Sequence, residues 1–392
     1  MTDPRYDLSS IPAVDHHCHN WTNRQAPYSA EEYRLFFTEA LDRRVGPDVP
    51  TSTYYRWTIR ELAKRFGVEP SEDAVLDARA KLGHDQWRQR LMAEANVAHA
   101  VIDFGFTARG SDLFSVAEMG PALGGASTTG ALRLERLLED LVLELETADL
   151  VEEAFRARLD RAALASERIV SLKSIIAYRT GLDVATPSRA EAYCAFPGLK
   201  RTATERGAVR IVDKEFLDYF LGVALHWAND EAFPIQFHTG FGDTSVFLRT
   251  GNPIMLRPIF ENRAFSDVPI VLLHAGWPYV RESSYLASVY ANVFIDSGLA
   301  IPFAASDYQT IWRELLTLAP ASKILWSSDG FSIPEHCWFA AVQGRKALAS
   351  ALEALADSGA IGDDDAHEIA AMILHGNATR LYGLERYLHT AR

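Results

Sequence analysis

Residues 268–274 read VPIVLLH, a short apolar run that ends in a histidine, and the same format returns along the chain. Strands that are buried on both faces have continuous apolar runs of this kind. Each run is followed by a longer amphipathic stretch, which is typical of repeated βα units. The other candidate strands are IPAVDHHCH (11–19), AHAVIDFGF (98–106), ALRLERL (131–137), RIVSLKSII (168–176), FPIQFHT (233–239), ANVFIDS (291–297) and SKILWSSD (322–329). Eight strands in this pattern predict an α/β fold, the (β/α)8 TIM-type barrel.

The third run is the least regular of the eight. ALRLERLLEDLV has the charge spacing of a helix as much as the character of a strand, and it could belong wholly to a helix. In that case a doubly wound open sheet would be the alternative fold.

We expect one barrel domain over residues 1–392 with a helical insertion. About 80 residues separate the first two candidate strands, far more than a βα loop needs, and YSAEEYRLFFTEAL and SEDAVLDARAKLGHDQWRQRLMAEA have helical periodicity. We therefore interpret residues 27–95 as a helical cap over the barrel mouth. The alternative is an insertion that only packs and never touches ligand. Extra C-terminal helices are predicted after Ile333, one opening at 333–336 and another over 363–384.

Composition limits the classes of partner. The 392 residues include 39 Lys and Arg against 52 Asp and Glu, a formal net charge of −13. A surface for nucleic acid or an anionic membrane would have to be built against this field. We expect a small-molecule substrate, with neither nucleic acid nor membrane as a partner. Three widely spaced cysteines do not suggest a disulfide framework, and no signal sequence or long apolar span is seen. These features favour a cytoplasmic protein, with a homodimer as the expected assembly.

A cluster of histidines ends the first candidate strand, in Asp15-His16-His17-Cys18-His19. Side chains at i and i+2 of a strand point to the same side, so His17 and His19 would both enter the barrel. Two converging imidazoles suit a divalent metal. The alternative is a pair of solvated loop histidines, but barrel enzymes place their chemistry at the C-terminal ends of strands.

Three more residues that can bind metal end other candidate strands: His238 in FPIQFHT, His274 in VPIVLLH and Asp329 in SKILWSSD. Individually, either histidine could be a capping or packing residue, and Asp329 before Gly330 could be a turn residue. Their shared place on one rim favours a metal site, with His17, His19, His238, His274 and Asp329 as the candidate ligands.

Lys173 lies within the apolar run RIVSLKSII, where an unpaired ammonium is costly. It could be carboxylated and bridge two metals, face the substrate as a cation, or pair with a carboxylate on the rim. Arg179 could hold a substrate carboxylate bidentately or form a salt bridge in a loop. Trp277, which follows His274, could pack on the substrate or support the surrounding loops.

These residues, in this order, resemble the motifs of the metal-dependent amidohydrolase superfamily. The segments 14–19, 172–182, 236–243 and 375–384 are similar to the branch that contains the barrel domains of FluG/nodulin-type proteins, which is near a group of decarboxylases. The resemblance implies metal positions at His17, His19, His238 and Asp329, with His274 either a ligand of a second metal or a catalytic histidine. Lys173 departs from the decarboxylase pattern and favours hydrolysis.

The expected function is metal-dependent hydrolysis of a carbon–nitrogen, amide-type bond in a small molecule. Asp329 would act as the proton shuttle, His274 would orient or stabilise the oxyanion, and Lys173 would take one of its catalytic roles. One or two divalent ions are expected, with zinc favoured over manganese or iron. A non-oxidative decarboxylase or other lyase on the same site, and a non-catalytic scaffold, are the alternatives.

Overall fold

Eight strands form the centre of the fold in a computed structural model, which describes residues 4–105 and 112–388. Phe106, the last residue of the second candidate run, lies outside the described residues. The strands are β1 Ala13–His19, β2 Val97–Asp103, β3 Ser127–Arg133, β4 Ile169–Ser174, β5 Ile235–Phe237, β6 Ile270–Leu272, β7 Val293–Asp296 and β8 Ile324–Leu325. They belong to one sheet in the order β1 to β8. The predicted fold class, a (β/α)8 barrel of parallel strands, is confirmed.

Helices separate the strands and extend both the β1–β2 connection and the C-terminal region. They are α1 Ala30–Arg34, α2 Thr53–Phe66, α3 Glu72–Leu82, α4 His84–Ala95, α5 Val116–Ala122, α6 Leu134–Glu144, α7 Ala148–Ala162, α8 Arg189–Tyr193, α9 Phe196–Arg206, α10 Lys214–Glu231, α11 Arg257–Phe260, α12 Val280–Val289, α13 Ala300–Phe303, α14 Tyr308–Leu318, α15 Pro334–Asp357, α16 Asp363–Ala371, α17 Asn377–Tyr382 and α18 Glu385–Leu388. A π-helical segment, Met372–Gly376, joins α16 to α17.

The third candidate run is divided between two elements. Strand β3 ends at Arg133, and α6 begins at Leu134. Leu134, Leu137, Leu138 and Leu141 recur at helical spacing and are buried. The strand therefore takes its residues from STTGALR, where threonines favour extended backbone, and ALRLERL was ambiguous because it spans the boundary.

The chain divides into two compact units. The first comprises Met1–Ile102, Phe106–Thr128 and Asp296–Arg392, and the second comprises Asp103–Gly105 and Thr129–Ile295. In the first unit the long helix α15 packs against α4 and α14. All of its residues over 334–341 are buried, and Leu348 and Leu352 are buried further along, so α15 lies within the core over most of its length.

The second unit contains a parallel sheet of known register. Paired residues form rows across the strands. In one row, Leu172 of β4 pairs with Ile235 of β5, which pairs with Ile270 of β6. In the next row, Lys173 of β4 pairs with Arg133 of β3 and with Gln236 of β5. Neighbours in one row share a face of the sheet because side chains alternate along each strand. One row is therefore wholly apolar, and the other carries the charged residues.

None of the helices in the described part of the chain is long and apolar enough to span a bilayer.

Candidate metal centre

His17, His19 and Asp329 meet at one point in the first unit. Nε2 of His17 and Nε2 of His19 each lie 3.2 Å from the same carboxylate oxygen, Oδ1 of Asp329. The side chains of His17 and Asp329 are only 1% and 8% exposed. Two imidazole nitrogens and one carboxylate oxygen thus converge in a site largely closed to water. This is a set of donors that suits a divalent metal of the zinc type.

Alternation along β1 produces this convergence. His17 and His19 are two residues apart, and their rings lie 5.1 Å from centroid to centroid. His16 points to the other side, where its Nε2 lies 3.0 Å from Asp296 Oδ2 and its Nδ1 lies 3.1 Å from the Tyr382 hydroxyl. The ring of His16 is fully buried. It therefore joins β1 to β7 and α17, away from the point where the other two histidines meet.

Asp15 holds the backbone next to Asp329. The amide of Ser328 donates to Oδ1 of Asp15 at 2.9 Å, and the hydroxyl of Ser328 donates to Oδ2. The Ser328 hydroxyl also accepts the amide of Gly330 at 2.9 Å. Burial raises the pKa of Asp15 to about 6, although the bonds from Ser328 oppose this rise. Asp15 thus acts on the site through Ser328.

The backbone of Asp329 adopts an unusual conformation. Its φ is +47°, in the left-handed region that non-glycine residues rarely occupy. The Asp329 amide donates to the His17 carbonyl at 3.0 Å, and the His19 amide donates to the Gly330 carbonyl at 2.9 Å. These bonds join the end of β1 to the segment after β8. Strain held by surrounding contacts is common at functional sites.

His238 and His274 form a pair in the second unit. His238 follows β5 directly, and His274 lies two residues after the end of β6. Their ring centroids are 4.4 Å apart, and both residues are at most 4% exposed. Nε2 of His238 lies 2.9 Å from the carbonyl of Phe241, and the Tyr178 ring packs 4.2 Å from the His238 ring. His274 has φ +69°, so like Asp329 it combines a left-handed backbone with a place at a strand end.

Lys173 lies in β4 and is 1% exposed. Its register partners are Arg133 on β3 and Gln236 on β5. Arg133 forms a buried ion pair with Asp103, whose Oδ2 accepts from Nη2 at 2.5 Å and from Nε at 2.9 Å. Lys173 thus belongs to a polar row within a buried sheet.

Arg179 and Trp277 lie in loops of the second unit. Nη2 of Arg179 donates to Glu139 Oε1 at 2.9 Å, and the two side chains are 6% and 11% exposed. This contact corresponds to the salt-bridge alternative for Arg179. Trp277 packs edge-on against Phe241 at 5.2 Å, and its carbonyl accepts the Phe241 amide at 2.8 Å. Trp277 therefore supports the loop that follows β5.

An aromatic group follows Asp329 in the first unit. The ring of His336 stacks on Phe331 at 4.6 Å and on Phe303 at 6.2 Å, and its Nδ1 lies 2.7 Å from the Tyr54 hydroxyl. Burial lowers the pKa of His336 to about 4, while the charges of Glu335 and Asp329 oppose this shift. His336 is therefore a neutral imidazole at physiological pH.

Glu335 ties the helices of the 27–95 segment to α15. Its Oε1 accepts from Arg79 Nε at 2.9 Å, from Trp87 Nε1 at 2.9 Å and from the Tyr33 hydroxyl at 3.3 Å. The side chains of Arg79 and Glu335 are 5% and 0% exposed. Burial alone would raise the pKa of Glu335, but the charge and hydrogen bond of Arg79 bring it below its ordinary value. One carboxylate thus fixes α1, α3 and α4 on the helix that follows Asp329.

Sequence reasoning did not identify several residues that shape these clusters. Asp103 is the last residue of β2. A search for residues that can bind metal at the ends of strands, which identified Asp329, could therefore also have identified Asp103. The signal for Asp15 was its place beside the histidines. Arg133 and Ser328 had no local signal, because their partners lie far away in sequence.

Comparisons with known proteins agree with this arrangement. A family model described as amidohydrolase matches residues 188–384. The chain is 28% identical to the FluG protein of Emericella nidulans over 98% of this chain, and it spans 47% of the length of that protein. It also matches a solved structure from Lactobacillus casei ATCC 334, provisionally described as a metal-dependent hydrolase, with 28% identity, a TM-score of 0.87 and 97% of each chain covered.

A more distant structure shares the fold alone. The uronate isomerase of Thermotoga maritima is 13% identical, with a TM-score of 0.63 over 96% of this chain and 95% of its own. The amidohydrolase match covers just over half of the chain and includes β5 to β8 with the residues that follow them. The chain belongs to the amidohydrolase family.

Proposed function

We propose that this chain is a metal-dependent hydrolase that cleaves a carbon–nitrogen, amide-type bond in a small molecule. The observation that carries the proposal is the approach of His17 Nε2 and His19 Nε2 to one oxygen of Asp329, at 3.2 Å each. Packing alone does not explain two buried imidazoles beside one buried carboxylate in strained backbone. Family membership supports the same reading.

The residues fit a divalent ion of the zinc, manganese or iron type. His17 offers a ligand atom within 4.8 Å of one from His19 and of one from Asp329. Neutral imidazole and carboxylate are ligands that all three metals accept. We propose His17, His19 and Asp329 as ligands, with His238 and His274 as further ligands or, for His274, as a catalytic group. The number of ions, one or two, depends on the role of Lys173.

A bound ion of this kind polarises a carbonyl and lowers the pKa of water. The protein's own residues then move the proton. Asp329 is buried, and its carboxylate can take a proton from the attacking water and deliver it to the leaving amine. The left-handed backbone at Asp329 and the hydrogen bonds that Ser328 donates to Asp15 hold this carboxylate in place.

His274 and Lys173 complete the proposal. An imidazole at the position of His274 can donate to the oxyanion that develops on the carbonyl oxygen. Lys173 lies in a buried polar row with Arg133 and Gln236. Carboxylated by carbon dioxide, Lys173 would offer two oxygens that could hold metal. Without carboxylation it would face the substrate as a cation or pair with a carboxylate on the rim. The presence of Lys173 departs from the pattern of the decarboxylases near the branch that this sequence resembles, and we take this departure to favour hydrolysis.

The test is amine release from a panel of N-acyl amino acids and γ-glutamyl amides by the metal-loaded full chain. We expect at least one amide to be cleaved. The Asp329→Asn variant should lower kcat by about 10²- to 10⁴-fold, while Asp364→Asn, which removes an exposed carboxylate, should leave it unchanged. Release of carbon dioxide from a carboxylic acid, with no amine from any amide, would overturn the proposal in favour of the lyase.

A further inference from the structure

A cavity of about 650 Å³ lies in the first unit between the start of α2, the start of α14 and the middle of α15. We call it the α2–α15 cavity, and its wall includes Arg56, Trp57, Arg60, Tyr308, Gln343 and Lys346. Its volume is within the range of small-molecule sites, about 300–1,000 Å³. None of the proposed metal ligands lines it.

The α2–α15 cavity is strongly cationic. Arg56, Arg60 and Lys346 line it, and no Asp or Glu is among the described residues of its wall. Arg56 and Arg60 are four residues apart on α2, so they share one face of that helix. The chain as a whole has a net charge of −13. With three positive charges and no negative one, the cavity wall has a positive electrostatic potential although the net charge of the protein is negative.

A buried donor also lines the α2–α15 cavity. Gln343 is 3% exposed, and its Nε2 has no hydrogen-bond acceptor within the described chain. An unsatisfied buried donor costs free energy, and native proteins nearly always provide a partner. An acceptor oxygen on a bound molecule would satisfy this amide.

Helix α2 adds a favourable dipole. Thr53 is the first residue of this 14-residue helix and lies in the cavity wall, while the Ser52 side chain accepts from the Tyr55 amide. The positive end of the helix thus points to the same region as Arg56. Helix N-termini favour bound anions, phosphate above all, because amide groups and the dipole act together.

We propose that the α2–α15 cavity binds a small molecule that carries a phosphate group. Three cations match the charge of a phosphate, near −2, better than the single charge of a carboxylate. The remaining polar wall offers donors, and phosphate oxygens only accept. Trp57 and Tyr308, whose rings lie 5.3 Å apart, supply an apolar flank for the organic part of the ligand. The site is separate from the proposed hydrolase centre.

The experiment is isothermal titration calorimetry of the metal-free full chain with sodium pyrophosphate. Treatment with chelator removes metal, so that binding of the probe to the metal centre is avoided. We expect saturable binding that weakens as salt is raised. Arg60→Gln and Lys346→Gln should each weaken it by about tenfold or more. Gln343→Met, which removes the donor and keeps the size, should weaken it as well.

Two control variants remove the same kinds of positive charge from positions outside the cavity. Lys64→Gln removes an exposed lysine of α2, and Arg90→Gln removes an exposed arginine of α4. Neither lines the cavity, so both should bind pyrophosphate as the wild type does. The proposal is overturned if pyrophosphate does not bind at about millimolar concentration, if the cavity and control variants bind alike, or if succinate binds as tightly. Because metal is absent, these outcomes are independent of the hydrolase proposal.

Discussion

Nε2 of His17 lies 3.2 Å from Oδ1 of Asp329, although His17 lies in the first strand and Asp329 follows the last. The Asp329 amide donates to the His17 carbonyl at 3.0 Å, so backbone as well as side chains join the two segments. The proposed chemistry depends on this junction, and its supporting contacts can be tested one at a time.

Ser328→Ala should weaken metal binding. The Ser328 hydroxyl bonds to Asp15 and accepts the Gly330 amide, and these contacts position the neighbouring carboxylate of Asp329. Losing an interaction that orients a ligand typically costs about 10- to 100-fold in metal affinity. Competition with a chromogenic chelator would measure the change. Ser358→Ala, at an exposed serine, is the control, and equal affinities for the two variants would refute the role of Ser328.

Arg79→Met should destabilise the fold by about 3–5 kcal/mol, because it leaves the Glu335 carboxylate buried without its cation. Urea unfolding would give the change in the free energy of unfolding. Adding Glu335→Leu to the same chain should restore much of the loss, since no buried charge then remains. Arg90→Met, at an exposed arginine, should have little effect. A small loss for Arg79→Met alone would contradict the assignment.

His336 should make stability depend on pH. Its folded pKa is about 4, below the ordinary value of 6.5, so the unfolded chain takes up the proton first as the pH falls. The stability from the neutral ring is complete above about pH 6.5 and is lost as the pH falls toward 4. Between about pH 7.5 and pH 5 the wild type should lose about 2 kcal/mol more than His336→Met. Parallel pH profiles for the two proteins would disprove this.

Gly240→Ala should be destabilising by more than about 2 kcal/mol. Gly240 has φ +72°, and a Cβ there would overlap the backbone of Gly276 and Trp277. Gly198 provides a matched comparison, because it lies in α9 with nothing within 4 Å of an added Cβ. Gly198→Ala should stabilise the protein by up to about 1 kcal/mol. Thermal unfolding of both variants would show whether their effects have opposite sign.

The sequence predicted the eight strands because apolar runs and alternation are local properties, but it placed the third strand at 131–137, where the structure has β3 at Ser127–Arg133 and the start of α6. His17 and His19 share a side of β1 since they are two residues apart, and His274 and Asp329 follow strands as their places at the ends of apolar runs indicated. The ordered β1–β8 sheet then follows from the repeated βα format.

Contacts between distant segments could not be predicted in the same way. The bond between Asp15 and Ser328 and the ion pair between Arg133 and Asp103 depend on the register of packed strands. The ion-pair partner of Arg179 could not be predicted for the same reason. The structure identifies it as Glu139. The left-handed backbone at His274 and Asp329 also had no signal, because neither residue type requires it.

Elemental analysis of the freshly purified protein tests the central claim most directly. We predict one or two divalent ions per chain, and a marked loss of metal in His17→Ala, which removes one of the clustered imidazoles. His226→Ala, at an exposed histidine, should retain the wild-type content. A native protein that holds no metal and takes up none from added zinc or manganese would contradict the proposed metal centre.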